Sequence, residues 1–167
     1  IEPYDARWAI QFKALKGSID DALGEKALAV EHVGSTAVPG LFAKPVIDID
    51  VIVSAPEDEN AYVPSLTELG YTLIIREKSW YQHRMLRHDS PRVNLHVFGP
   101  DCAEHIRHIL FRDWLSAHPQ DRSLYADAKM QAAHGVNTVQ EYNRRKQEVI
   151  RDIYNRIFDY HGLNNRT

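Results

Sequence analysis

The chain of 167 residues has one cysteine, Cys102. A lone thiol closes no internal disulfide and supplies no CxxC or zinc-knuckle spacing, so a reducing, cytoplasmic compartment is expected. No apolar stretch reaches the roughly 18–20 residues that a membrane-spanning helix needs. The opening Ile1-Glu2-Pro3-Tyr4-Asp5 is not the basic-then-apolar start of an export signal, so no membrane partner is expected. A basic excess is missing too: 20 Lys and Arg stand against 23 Asp and Glu, a formal charge of −3, which disfavours duplex nucleic acid as a main partner. The sequence also lacks repeats, low-complexity tracts and linkers, so residues 1–167 read as one domain. With 44% hydrophobic and 26% charged residues, such a chain can bury roughly 68–70% of its unfolded surface without staples.

What is present has clear periodicity. Trp8, Phe12, Leu15, Ile19 and Leu23 recur at steps of four and three, one face of an opening helix over residues 4–23 that ends at Gly24. Residues 27–33 predict a strand closed by Gly34-Ser35-Thr36, and the β-branched run 46–53 predicts a second. Pro56 and the acidic turn Glu57-Asp58-Glu59 predict a helix that ends at Gly70. Residues 71–76, 81–87 and 92–98 read as strands, the last two joined as a hairpin by His88-Asp89-Ser90-Pro91. Strand patterning then stops. Ile106, Ile109, Leu110, Trp114 and Leu115 have helical spacing, Pro119 is a break, residues 124–133 restart, and a last helix runs from a cap at Thr138 to Gly162. A strand-rich stretch over 25–100 followed by helices over 101–162 predicts an α+β fold, with helices packed on a sheet face and end.

The chemistry concentrates where Val33-Gly34-Ser35 is followed, after twelve residues, by Asp48-Ile49-Asp50-Val51. Strand alternation puts Asp48 and Asp50 on one face about 6–7 Å apart. Two carboxylates sharing a site repel unless a cation or solvent compensates them. Hard oxygen donors at this spacing suit Mg²⁺ or Mn²⁺, completed by substrate phosphates. Gly34 lets the backbone approach a ligand, the N–H groups of the turn through Thr36 can hold phosphate, and Ser35 adds a hydroxyl. Metal strand and phosphate cradle together predict a nucleoside triphosphate site. A strand whose acidic face is simply solvated is the bland alternative.

This spacing resembles the signature of the nucleotidyltransferase superfamily, the polymerase-β-like fold. The longer string Glu31-His32-Val33-Gly34-Ser35-Thr36-Ala37-Val38-Pro39-Gly40-Leu41-Phe42-Ala43-Lys44-Pro45-Val46-Ile47-Asp48-Ile49 looks like the hallmark of the GrpB family, whose members are similar to nucleotidyltransferases. Tyr4, Trp8, Phe12, Leu95-His96-Val97, Phe111-Arg112-Asp113-Trp114-Leu115, Tyr125, Lys129, Tyr142 and Lys146 also match, so the resemblance spans about residues 4–158. It implies a nucleotidyltransferase-like mixed β-sheet with flanking helices and a helical C-terminal third that closes one side of a pocket. Related domains occur fused to dephospho-coenzyme A kinase in some bacteria.

The superfamily's third carboxylate has no counterpart in residues 92–98, which offer Asn94 and His96. His96 is expected to ligate the metal or to act as the base. Alternation sets His83 and Arg87 on one hairpin face and Arg84 and His88 on the other; Arg84 is taken as a triphosphate clamp. Lys44, Lys129, Tyr142 and Lys146 are candidates to hold phosphate or stack on a base. The expected activity is metal-dependent transfer of a nucleotidyl group to an unknown small acceptor, with Asp48, Asp50 and His96 as catalytic and metal residues. The alternative is a non-catalytic nucleotide- or coenzyme A-sensing module. A scaffold with a protein partner and a vestigial pocket is the third class.

Overall fold

A computed structural model describes residues 1–133 and 139–162. The opening helix forms as α1, Arg7–Leu23. β1 (Ala29–Val33), β2 (Ile47–Ile52), β3 (Thr72–Glu77), β4 (His83–Asp89) and β5 (Arg92–Phe98) build one sheet in the order β1-β2-β5-β4-β3. β2 and β5 run parallel and the other neighbours antiparallel, so the sheet is mixed. Parallel pairing brings distant sequence side by side: Asp48 lies opposite Asn94, and Asp50 opposite His96.

Period-two alternation gives β2 two characters. Ile47, Ile49 and Val51 point to one face, where Leu86, Val93, Leu95 and Val97 join them in a core closed by Ile19 and Leu23 of α1 and Leu66 of α2 (Val63–Glu68). Asp48 and Asp50 therefore occupy the opposite face. α3 (Ala103–Ala117), α4 (Pro119–Ala133) and α5 (Val139–Tyr160) form a second core around Leu115, Ile153 and Ile157. Val38 and Leu41 enter that core, which fastens the loop after Gly34 to the helical third.

Two expected helix boundaries move. The helix expected from Pro56 begins at Val63, after a 3-10 turn over Glu59–Ala61. There the Pro56 carbonyl accepts from the Tyr62 hydroxyl, and Glu59 is drawn to Arg76 and Arg84. Pro119, expected as a break, is instead the first residue of α4, a position where its missing N–H costs no helical hydrogen bond. Thr138 lies outside the described residues. No described helix is long and apolar enough to cross a membrane.

Candidate functional site

Gly34 ends β1 at φ 76° and ψ −172°, a region open essentially to glycine. A Cβ there would stand 2.5 Å from Asp48 Oδ2, so only a glycine lets this backbone pass so close to the carboxylate. The next residues form a 3-10 turn, Ser35–Ala37, whose two hydroxyls part company. Thr36 Oγ1 donates to the Val46 carbonyl at 3.0 Å and lies 3.0 Å from His32 Nε2. Its buried hydroxyl ties the loop to the chain entering β2; the phosphate role expected of Thr36 belongs to its backbone N–H, which this contact does not engage. His32 stacks on Phe12, and burial depresses its pKa to about 4, so it supports the loop as a neutral donor. Ser35 Oγ instead accepts from Lys129 Nζ at 2.7 Å, and Lys129 also donates to the Phe42 carbonyl at 3.3 Å. Burial, with the nearby Lys146 charge, pulls Lys129 down to about 8.

Asp48 lines three cavities among the described residues, two of them larger than the third. The first, about 420 Å³, brings Lys44, Lys129, Lys146 and Arg92 around Ser35 and Asn94. Three of the expected phosphate ligands thus converge on one side of Asp48. The second, about 370 Å³, is lined by His83, His96 and His108 together with aromatic rings. Tyr142 lies on α5, its side chain outside the described ones.

Arg84 is not at either cavity. It projects to the far face of the sheet, 1% exposed, and donates to Glu59 Oε2 and to the Gln82 carbonyl, both at 2.7 Å. The expected triphosphate clamp is corrected to a buried structural pair. His83, on the other face of β4, lines the cavity instead.

The histidines form a directed chain. A carboxylate only accepts, so His83 Nδ1 donates to Glu77 Oε1 at 2.8 Å. Burial of His83 lowers its pKa despite Glu77, which leaves Nε2 as an acceptor in the neutral ring. His96 Nδ1 must then donate across the 3.0 Å contact to His83. This aims His96 Nε2 at Asp48 Oδ1, 3.9 Å away, too far for a hydrogen bond.

Asp50 is fully buried. His105 Nδ1 and His108 Nδ1 donate to its Oδ2 at 2.8 and 2.7 Å, whereas Oδ1 has no partner among the described residues. Burial would raise the Asp50 pKa, but these two hydrogen bonds outweigh it and hold the group below its ordinary value. His108 Nε2 also lies 3.3 Å from Glu104 Oε1, so the ring bridges two carboxylates. Burial opposes its charge, yet Asp50 and Glu104 prevail and its pKa rises above 6.5.

A raised histidine pKa stabilises the fold below its ordinary value and ceases to do so as pH climbs through the raised one. The wild type should therefore exceed His108→Gln by about 1–2 kcal/mol at pH 5.5. That margin should fade on the alkaline side of 6.5, as thermal unfolding from pH 5 to 9 will show. A constant margin would mean that His108 acts only by packing.

Sequence reasoning missed Glu77, Glu104 and His108, and favoured the wrong face of β4. His105 and His108, three apart on a helix, were the available clue, but their docking on Asp50 bridges 55 and 58 residues of sequence. Among the described residues no three His, Cys, Asp or Glu side chains are gathered as a preformed metal cage.

A five-stranded mixed sheet, five described helices and an acid pair set among histidines define an α+β protein of one family. The family model described as GrpB protein matches residues 1–156, and the chain belongs to the GrpB family. It is 46% identical to the UPF0157 protein BH1888 of Halalkalibacterium halodurans over 154 residues, covering 92% of this chain and 79% of that protein. The crystal structure of conserved protein GrpB from Enterococcus faecalis superposes with a TM-score of 0.72 at 29% identity, covering 91% of this chain and 98% of that one. A more distant similarity, 28% over 185 residues, is to the dephospho-CoA kinase of Mycolicibacterium paratuberculosis; it covers 95% of this chain and 46% of that protein.

Proposed function

We propose that the chain is a metal-dependent nucleotidyltransferase of the polymerase-β-like kind, acting from a nucleoside triphosphate on a small acceptor. The observation that carries this is Asp48, which lines both the lysine-rich cavity and the histidine-rich one. Lys44, Lys129, Lys146 and Arg92 suit the β- and γ-phosphates, with Ser35 and the turn N–H groups beside them. Two of the expected donors are spaced to share a divalent cation. Two acceptors 3.9 Å apart, Asp48 Oδ1 and His96 Nε2, lie within the span that metal bonds of about 2.0–2.2 Å each can bridge. The orphaned Asp50 Oδ1, on the same face of β2, is a second oxygen in need of positive charge. Mg²⁺ or Mn²⁺ held there would neutralise charge developing on the α-phosphate. An acceptor hydroxyl would bond to the α-phosphorus as its bond to the bridging oxygen breaks. Pyrophosphate would leave on the lysine side, and the hydroxyl proton would pass to water.

Binding without turnover, of a nucleotide or of coenzyme A, is the second possibility. The capture of Asp50 Oδ2 by His105 and His108 favours it, since that oxygen is spent within the protein. Pyrophosphate release from ATP, GTP, CTP and UTP across an acceptor panel separates the two. Release supports transfer, and saturable binding with none throughout supports a sensor.

Lys129 gives a sharper expectation. Its ammonium holds an anion best below about pH 8, so Mg–ATP affinity should fall as pH rises through that value. Lys129→Met should weaken binding about tenfold at pH 7 and flatten the dependence. Calorimetric titration at pH 7 and 9 measures both, and an unchanged affinity in the variant would remove Lys129 from the phosphate site.

A further inference from the structure

The two larger cavities at Asp48 have opposite chemistry, and this bears on the acceptor. One is ringed by Lys44, Lys129, Lys146 and Arg92. The other has no lysine or arginine among the described residues that line it. It carries the carboxylates of Glu77 and Glu104 among the rings of Trp80, Phe98, Phe111 and Tyr154; Glu104 is already paired with His108 and Arg107, which leaves Glu77 as the carboxylate for a ligand. Glu77 is half exposed and uses one oxygen on His83. Trp80 stands edge-on to His83 and Phe98, with centroids 5.1 and 6.1 Å away, and is still 40% exposed. It is held at this rim by a turn in which two successive non-glycine residues, Tyr81 and Gln82, have φ of 55° and 49°. This is the β3–β4 hairpin turn, closed by the His83 N–H on the Trp80 carbonyl at 3.0 Å.

Resting on the proposed nucleotidyl transfer, in-line displacement assigns the cavities. The attacking and leaving oxygens stand on opposite sides of the α-phosphorus, so a pyrophosphate among the lysines requires the acceptor to enter from the aromatic side. Carboxylates beside open aromatic faces attract a cation and repel an anion. We infer that the second cavity is the acceptor site and that it selects a hydroxyl-bearing acceptor with a cationic amine on an aromatic or apolar body. Trp80 and Glu77 determine that choice, the ring by covering the apolar body and the carboxylate by pairing with the ammonium.

Tryptamine and indole-3-propionate are suitable probes, since they share a ring and differ in the sign of the terminal charge. Calorimetric titration of the full chain should show tryptamine binding about tenfold or more tightly than indole-3-propionate. Glu77→Gln should narrow that preference. Trp80→Ala should weaken tryptamine by about tenfold and leave Mg–ATP affinity unchanged. Tryptamine should bind equally well with Mg–ATP present. Equal affinity for the two probes, no tryptamine binding at millimolar concentration, or displacement of tryptamine by Mg–ATP would each overturn the assignment. Displacement would place the nucleobase in this cavity. Failure of Mg–ATP to bind at all, with tryptamine selectivity intact, would instead remove the nucleotidyl-transfer premise and leave an amine site standing.

Discussion

Replacing Arg84 by methionine is expected to destabilise the protein by about 3 kcal/mol while leaving the nucleotide affinity of the folded molecule unchanged. The guanidinium is one of the largest fully buried side chains, and its two strong hydrogen bonds run to Glu59 and to the Gln82 carbonyl. Methionine keeps most of the volume and removes the charge. Glu59 retains Arg76 and is partly exposed, which sets the loss near the lower end for a broken buried pair. The Gln82 carbonyl loses its donor beside the turn that carries Trp80. Denaturant unfolding gives the stability, and Mg–ATP titration of the same sample gives the affinity. Unaltered stability together with weakened ATP binding would return Arg84 to the phosphate clamp that its sequence position suggested.

Gly34→Ala should act the other way, with its main effect on the ligand. The added Cβ would meet Asp48 Oδ2 at 2.5 Å and the Asp48 Cβ and Cγ at 3.1 Å, and alanine resists the backbone conformation by about 1–3 kcal/mol. Either the turn or Asp48 must move, so metal-dependent ATP affinity should fall by about tenfold or more, beyond any loss of stability. Gly24→Ala is the control. It shares a positive φ, 57°, but has nothing within 4 Å of the added carbon, so it should lower stability and spare binding. Equal loss of binding in both variants would mean that backbone strain, and not the approach to Asp48, governs the site.

These cases show what the amino-acid order made legible. Asp48 and Asp50 could be placed on one face because a strand has period two and because Ile47, Ile49 and Val51 fill the other. The same rule separated His83 from Arg84 on β4 without saying which side held the pocket, since both sides carry a cationic or protonatable group and an apolar one, Met85 or Leu86. Leu86 proved to be the core residue, and Arg84 was buried beside it because Glu59, 25 positions earlier, supplies a partner. Lys129 and Lys146 were found through family resemblance and do line the cavity beside Ser35. The Thr36 hydroxyl is spent on the Val46 carbonyl, a contact that exists only once the loop closes and that local pattern does not announce. The seat of His105 and His108 on Asp50 depends on how α3 docks against β2, and local pattern holds no trace of that docking.

The central claim is that a divalent cation and a nucleoside triphosphate meet at Asp48. It is tested most directly by titrating ATP into wild type and Asp48→Asn, each with Mg²⁺ and with EDTA, once equal unfolding midpoints show both proteins folded. Wild type should bind ATP about tenfold or more tightly with Mg²⁺ than with EDTA, and Asp48→Asn should lose that difference. Equal affinity with and without Mg²⁺ in the wild type, or a metal dependence that survives in Asp48→Asn, would contradict it.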